Sequence, residues 1–270
     1  MGGTCQHLQI EALRAQLAHW EGAAAWQKTF ADPSLPDRTA VVSSGCPALD
    51  RILPENGFRR GTLVELLSGF PGSGAATLAF RAAACTCRDG RAAVVLDPRG
   101  EFYPPAAIAQ GIEPARLIVI HPDNQADHTW ALDQALRCPA VAVAVAWPDR
   151  TRHAPRDDGS RHAEHGGYGS KLDGRTFRRL QLAVEQGGGL GLLIRPATVR
   201  NEPSWADVRL LVEPLPCVQM APRGYPVPFI TRRMRVVLLR CRGGGHRVPM
   251  VGEQAVEVEI DDEPLRLHQA

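Results

Sequence analysis

Between residues 64 and 196 the chain alternates short apolar runs with alanine-rich or amphipathic stretches. The apolar runs are "VELLS" (64–68), "AAVVLD" (92–97), "RLIVIH" (116–121), "VAVAVAW" (141–147) and "LGLLIRP" (190–196). They are apolar at consecutive positions, the pattern of strands covered on both faces. Between them, "TLAFRAAACTCR" (77–88), "PPAAIAQGI" (104–112), "QADHTWALDQALR" (125–137) and "GRTFRRLQLAVEQGGG" (174–189) read as helices, with proline opening the second and glycines closing the last. Strands alternating with helices predict an α/β fold: a mostly parallel sheet, right-handed crossovers and helices on both faces. Further on, "DVRLLVEPL" (207–215), "RRMRVVLLRCRGG" (232–244) and "AVEVEIDDE" (255–263) lie between proline- and glycine-rich turns. They predict antiparallel strands finishing one edge of that sheet.

Two stretches depart from the alternation. Residues 6–20 carry Ile10, Leu13, Leu17 and Trp20 at a spacing that puts all four on one helical face. This predicts an amphipathic helix before the linker "FADPSLPDRTA", able to dock on its own core or on a neighbouring chain. Residues 150–171 have almost no apolar side chains and no periodicity, the composition of a mobile surface loop. The organisation expected is a helix and linker (1–40), a core (41–245) and a C-terminal tail (246–270).

Composition narrows the class without naming a function. The 270 residues are 44% hydrophobic and 22% charged, ordinary for a globular protein. No apolar run approaches the roughly 18–20 residues that span a membrane. The seven cysteines are scattered, with one close pair, Cys85 and Cys87, and lack the paired C-x-x-C knuckles of a zinc ribbon. Reduced thiols in a cytoplasmic protein are the expectation. A formal charge of +2 gives little global attraction to nucleic acid.

The candidate chemistry lies in "GFPGSGAAT" (69–77), between a strand and a helix. It has the glycine frame of a phosphate-binding loop, in which G-x-x-x-x-G is followed by lysine and a hydroxyl residue. Here Ala75 and Ala76 hold those two places.

The longer segment "SSGCPALDRILPENGFRRGTLVELLSGFPGSGAATL" (43–78) resembles the RecA/RadA family, through Ser44-Gly45, Leu49-Asp50, Gly57, Arg60-Gly61 and the glycine loop. "PDNQADHTWALDQAL" (122–136) is also similar to that family. Within this superfamily the chain is similar to the ImuA family, through "KLDGRTFRRLQLAVEQGGGLGLLIRP" (171–196), "PSWADVRLLVEP" (203–214) and "RRMRVVLLRCRGG" (232–244). The SulA-type division inhibitors share parts of the pattern. The resemblance implies a RecA-like P-loop fold and an accessory role in bacterial mutagenic translesion synthesis. It implies an ImuB-type polymerase homologue and an error-prone replicative-type polymerase subunit as partners, with RecA itself as another. The alternatives carried are a SulA-like inhibitor and a DNA-dependent ATPase.

Hydrolysis by that family needs the loop lysine, a magnesium-binding hydroxyl, a distant acid and a water-activating glutamate. The glutamate position aligns with Arg99, two residues before Glu101; the acid position falls near Ala146 or Trp147, with Asp149 beyond Pro148. With these positions lost, Gly69, Gly72, Gly74 and Thr77 are expected to keep the shape of the loop. Its backbone N–H groups could still hold nucleotide or phosphate weakly. No cofactor, metal or catalytic set is expected.

The partner-binding candidates are Ile10, Leu13, Leu17 and Trp20, with residues 256–267 of the tail. DNA-contact candidates are Arg175, Arg178 and Arg179, which share one side of a helix, and the arginines of residues 150–171; a solvated face is the alternative for both. Arg232, Arg233 and Arg235 form another basic cluster. The seven residues "ATVRNEP" (197–203) are too short to resemble the second DNA-binding loop of RecA proteins. His121 follows a strand directly, as a functional or a structural histidine.

Overall fold

The computed structural model describes residues 40–69, 72–148, 172–216, 219–220, 229–242 and 254–261. A small antiparallel pair, β1 (Val41–Val42) and β2 (Phe58–Arg59), flanks a short helix α1 (Pro47–Asp50). The main sheet follows: β3 (Thr62–Ser68), β4 (Ala92–Leu96), β5 (Leu117–Ile120), β6 (Val141–Ala146), β7 (Leu190–Pro196), β8 (Val208–Pro214), β9 (Gln219–Met220), β10 (Phe229–Cys241) and β11 (Gln254–Asp261). Its spatial order is β11-β10-β8-β3-β7-β6-β4-β5, with β9 beside β10. From β8 to β5 every neighbouring pair is parallel, while β10 runs antiparallel to both β8 and β11.

The expected α/β architecture is present, with one correction. The stretch 207–215 forms a strand parallel to β3, not an antiparallel edge strand. β7 and β8 flank β3 and point the same way. The residues between them must therefore return along the sheet. Ala197–Asn201 form a 3-10 helix rising about 10 Å, and six further residues reach about 20 Å, against about 23 Å for a seven-residue strand, so the return is within range. The segment beyond residue 245 also contributes to the sheet: Val258 and Ile260 of β11 are buried in the core.

Alternate side chains of the central strands face two helical layers. Val64 and Leu66 of β3, with Ala93 and Val95 of β4, join α2 (Ala75–Thr86) on one side. Leu63, Val94 and Leu96 meet α4 (Gln125–Arg137) and α5 (Gly174–Gly187) on the other. The remaining helix, α3 (Pro104–Ala109), buries Ala107 on the α2 side. Ala75, Ala79, Ala82 and Ala83 let α2 lie close to the sheet.

Local signals set the helix ends. Asn124 caps α4 by accepting from the Asp127 N–H at 3.0 Å, and Asp173 caps α5 through the Thr176 N–H at 2.7 Å. Gly188 ends α5 in the left-handed region, at φ 67°. Within α5, Gly187 allows a close crossing: a Cβ there would lie 2.1 Å from the Leu136 carbonyl oxygen.

Candidate functional site: a glycine-loop cleft

The glycine loop leaves the C-terminal end of β3 and enters α2. Gly72 and Gly74 adopt φ 88° and 94°, values that disfavour side chains. Gly74 is additionally hemmed in: a Cβ would lie 2.6 Å from Met234 Cε. Ser68 and Ser73 share a hydroxyl–hydroxyl hydrogen bond of 2.8 Å across the loop. Gly74 is the N-cap of the twelve-residue α2 and offers no side-chain cap; the Ala75 N–H donates to the Ser73 hydroxyl at 3.4 Å. Phe70 and Pro71 lie outside the described residues.

Beyond the loop is a cleft of about 900 Å³. Gly72, Gly74, Ala75, Ala76 and Thr77 line its floor; Gly69 stands apart, with open space around it. Ala75 is buried at the first position of α2, where a lysine would reach phosphate, and a methyl group there carries no charge. At the far wall, Asp97 directly follows β4. Its carboxylate is 4% exposed and accepts the backbone N–H groups of Glu101 (3.1 Å) and Phe102 (2.9 Å). Asp97 is thus used to shape the turn. Arg99 follows it and lies 3.6 Å from Glu101, which places Glu101 beside a guanidinium group at the rim.

The end of β6, where an acid would hold magnesium, carries Trp147. Its ring packs 6.3 Å from Phe80 of α2, and Phe80 lies 5.3 Å from Phe102. Nothing in the local residue pattern points to this aromatic wall, because Phe80, Phe102 and Trp147 come from separate segments of the chain. His121 is a partnered histidine: its Nδ1 lies 3.0 Å from the Asp97 carbonyl oxygen.

The motif at residues 44–50 also has a structural role. Asp50 accepts the Ser44 N–H (2.8 Å) and the Ser43 hydroxyl (2.5 Å), which closes the entry loop and sets Gly45 at the cleft edge.

The three basic candidates on α5 have different surroundings. Arg175 is exposed at the start of α5. Arg178 reaches Gln181 and lies 5.1 Å over the Trp205 ring. Arg179 bonds Asp133 of α4 at 3.2 Å. Arg233 pairs with Glu257 and Glu259 across β10 and β11. Ile10, Leu13, Leu17 and Trp20, and the arginines of residues 150–171, lie outside the described residues. Of the tail expected to dock, residues 256–261 are committed to β11 and the rest lie outside.

The parallel sheet, the glycine turn from β3 into α2 and the cleft above it define a RecA-like α/β domain. Protein RecA of Streptomyces venezuelae is 28% identical over 192 residues, 69% of this chain and 49% of that protein. Protein RecA of Limosilactobacillus reuteri is 28% identical over 159 residues, 58% of this chain and 43% of that protein. The chain thus spans about half the length of those RecA proteins. Protein ImuA of Caulobacter vibrioides is 30% identical over 225 residues, 76% of this chain and 80% of that protein. The chain belongs to the ImuA family. No family model matches it. Among the described residues no helix is long and apolar enough to cross a membrane.

Proposed function

We propose that this chain is a non-catalytic, cytoplasmic, RecA-like accessory protein of DNA-damage tolerance, supporting error-prone translesion synthesis by binding an ImuB-type partner. One observation carries the non-catalytic part: the cleft keeps its glycine geometry while Ala75, Ala76, Arg99 and Trp147 occupy the positions of the hydrolytic groups. Phosphoryl transfer rests almost wholly on positioned charge, so four such replacements act in the same direction. Losing one charge-assisted contact costs about 1.5–3 kcal/mol, which leaves any nucleotide weakly held.

Membership of the ImuA family supports the accessory role. Its partners would be the ImuB-type polymerase homologue, an error-prone replicative-type polymerase subunit and RecA. Single-stranded DNA would be held weakly and with steep salt dependence through residues such as Arg175. Co-purification of the full chain with an ImuB-type protein is the test. Capture that is lost on Leu13→Asp supports the reading. Absence of capture, with filamentous growth when the protein is induced, would replace it with division inhibition.

A further inference from the structure

Glu65 sits inside β3 with 0% exposure. Both carboxylate oxygens are claimed by arginines of the flanking strands. Arg195 Nη1 of β7 donates a hydrogen bond to Oε1 at 2.7 Å, and Oε2 forms an ion pair with Arg209 Nε of β8 at 2.7 Å without hydrogen-bond geometry. Arg195 is 2% exposed and Arg209 6%. Glu202 adds a second carboxylate 3.8 Å from Arg195 Nη2, so two positive charges face two negative ones.

The guanidinium donors then turn to the connection between β7 and β8. Arg209 donates to the carbonyls of Val199 (2.7 Å), Arg200 (2.8 Å) and Glu202 (3.0 Å). From β10, Arg240 donates to the carbonyls of Ser204 (2.7 Å) and Ala206 (3.0 Å), and Arg242 reaches Ser204 at 3.4 Å. The Val199 side chain is buried with Leu67, Leu211 and Val237. Trp205 lies under two guanidinium groups, Arg178 at 5.1 Å and Arg242 at 5.4 Å.

A surface connection without ladder bonds ordinarily leaves its carbonyls to water and opens locally. This one is tied at five carbonyls to arginines that are themselves anchored on a buried carboxylate or in a neighbouring strand. A buried cluster of this kind adds little net stability over an apolar one, whereas removing a single partner is costly. We infer that the Glu65–Arg195–Arg209 clamp fixes the β7–β8 connection in one conformation that neither nucleotide nor nucleic acid alters. The connection is then a rigid display of Trp205 and its arginines, unlike a loop that reorganises around a ligand.

Hydrogen exchange on the full chain tests this. Amides of residues 198–206 are expected to show the same protection alone, with magnesium-ATP and with oligo(dT); a ligand-dependent change overturns the inference. The triple variant Glu65→Leu/Arg195→Met/Arg209→Met is expected to fold, because apolar replacement of a buried ion cluster is tolerated, while residues 198–206 exchange about tenfold or more faster. Unchanged protection there overturns the clamp. Arg240→Met, which leaves the triad whole, is expected to accelerate exchange only around residues 203–206. A uniform or absent effect in that variant counts against it equally, even where the triple variant does not fold.

Discussion

The glycine-loop cleft and the clamp beneath the β7–β8 connection treat charge in opposite ways. The cleft has a glycine turn suited to an anion and arginines on its walls (Arg81, Arg88 and Arg99), but Ala75 and Ala76 put uncharged methyl groups in its loop and the indole ring of Trp147 follows β6. The clamp has full charge in the driest part of the sheet, and each charged group finds a partner of the same chain. The glycine turn is required for steric reasons whatever its chemistry, because Gly72 and Gly74 adopt φ values near +90°. A buried ion cluster is held by its pairings, and removing one member leaves the others uncompensated.

The sharpest way to break the contrast is Glu65→Leu alone. It leaves Arg195 and Arg209 buried without their carboxylate, and a loss of about 3–5 kcal/mol in denaturant unfolding is expected. The triple apolar variant should recover most of it. At the cleft, Ala75→Lys/Ala76→Thr restores the two loop side chains. Nucleotide binding measured by calorimetry should tighten by about 1.5–3 kcal/mol, without turnover, since Arg99 and Trp147 remain.

A smaller effect separates the glycines. Gly74→Ala meets both a left-handed φ and Met234 Cε, and should cost about 1–3 kcal/mol. Gly69→Ala enters open space and should stay within about 0.5 kcal/mol of the parent.

The smallest concerns Asp207, which accepts the Leu63 N–H at 2.9 Å at the start of β3. Burial pushes its carboxyl above the usual range. The folded state therefore favours the protonated form. Its stability falls as pH rises from the unfolded value of 3.8 through the folded one. Asp207→Asn keeps an acceptor and removes the ionisation. It should stabilise at pH 7, with the difference vanishing near pH 3.

Much of the scaffold is legible in the residue pattern. The helix expected at 125–137 is α4 to the residue, because Asn124 and Asp127 mark its start and Arg137 its last turn. α5 is bounded as clearly by Asp173 and Gly188. Strand direction is another matter: the apolar pattern of residues 207–215 is the same whichever way the strand runs. The parallel pairing of β8 depends on how an eleven-residue connection returns along β3. The clamp was missed because Glu65, Arg195 and Arg209 are brought together by strand order, over 130 residues of separation between the first two. One signal was present: a glutamate inside the apolar run "VELLS" needs a buried partner. In the cleft, the losses at Ala75 and Ala76 could be read directly. The aromatic wall of Phe80, Phe102 and Trp147 required the fold.

Magnesium-dependent ATP turnover by the purified full chain tests the account most directly, with and without single-stranded DNA and an ImuB-type protein. The expected result is a rate indistinguishable from a Gly74→Arg control in every condition. Turnover that disappears in that control would contradict the account, since the glycine-loop cleft would then be a working catalytic site.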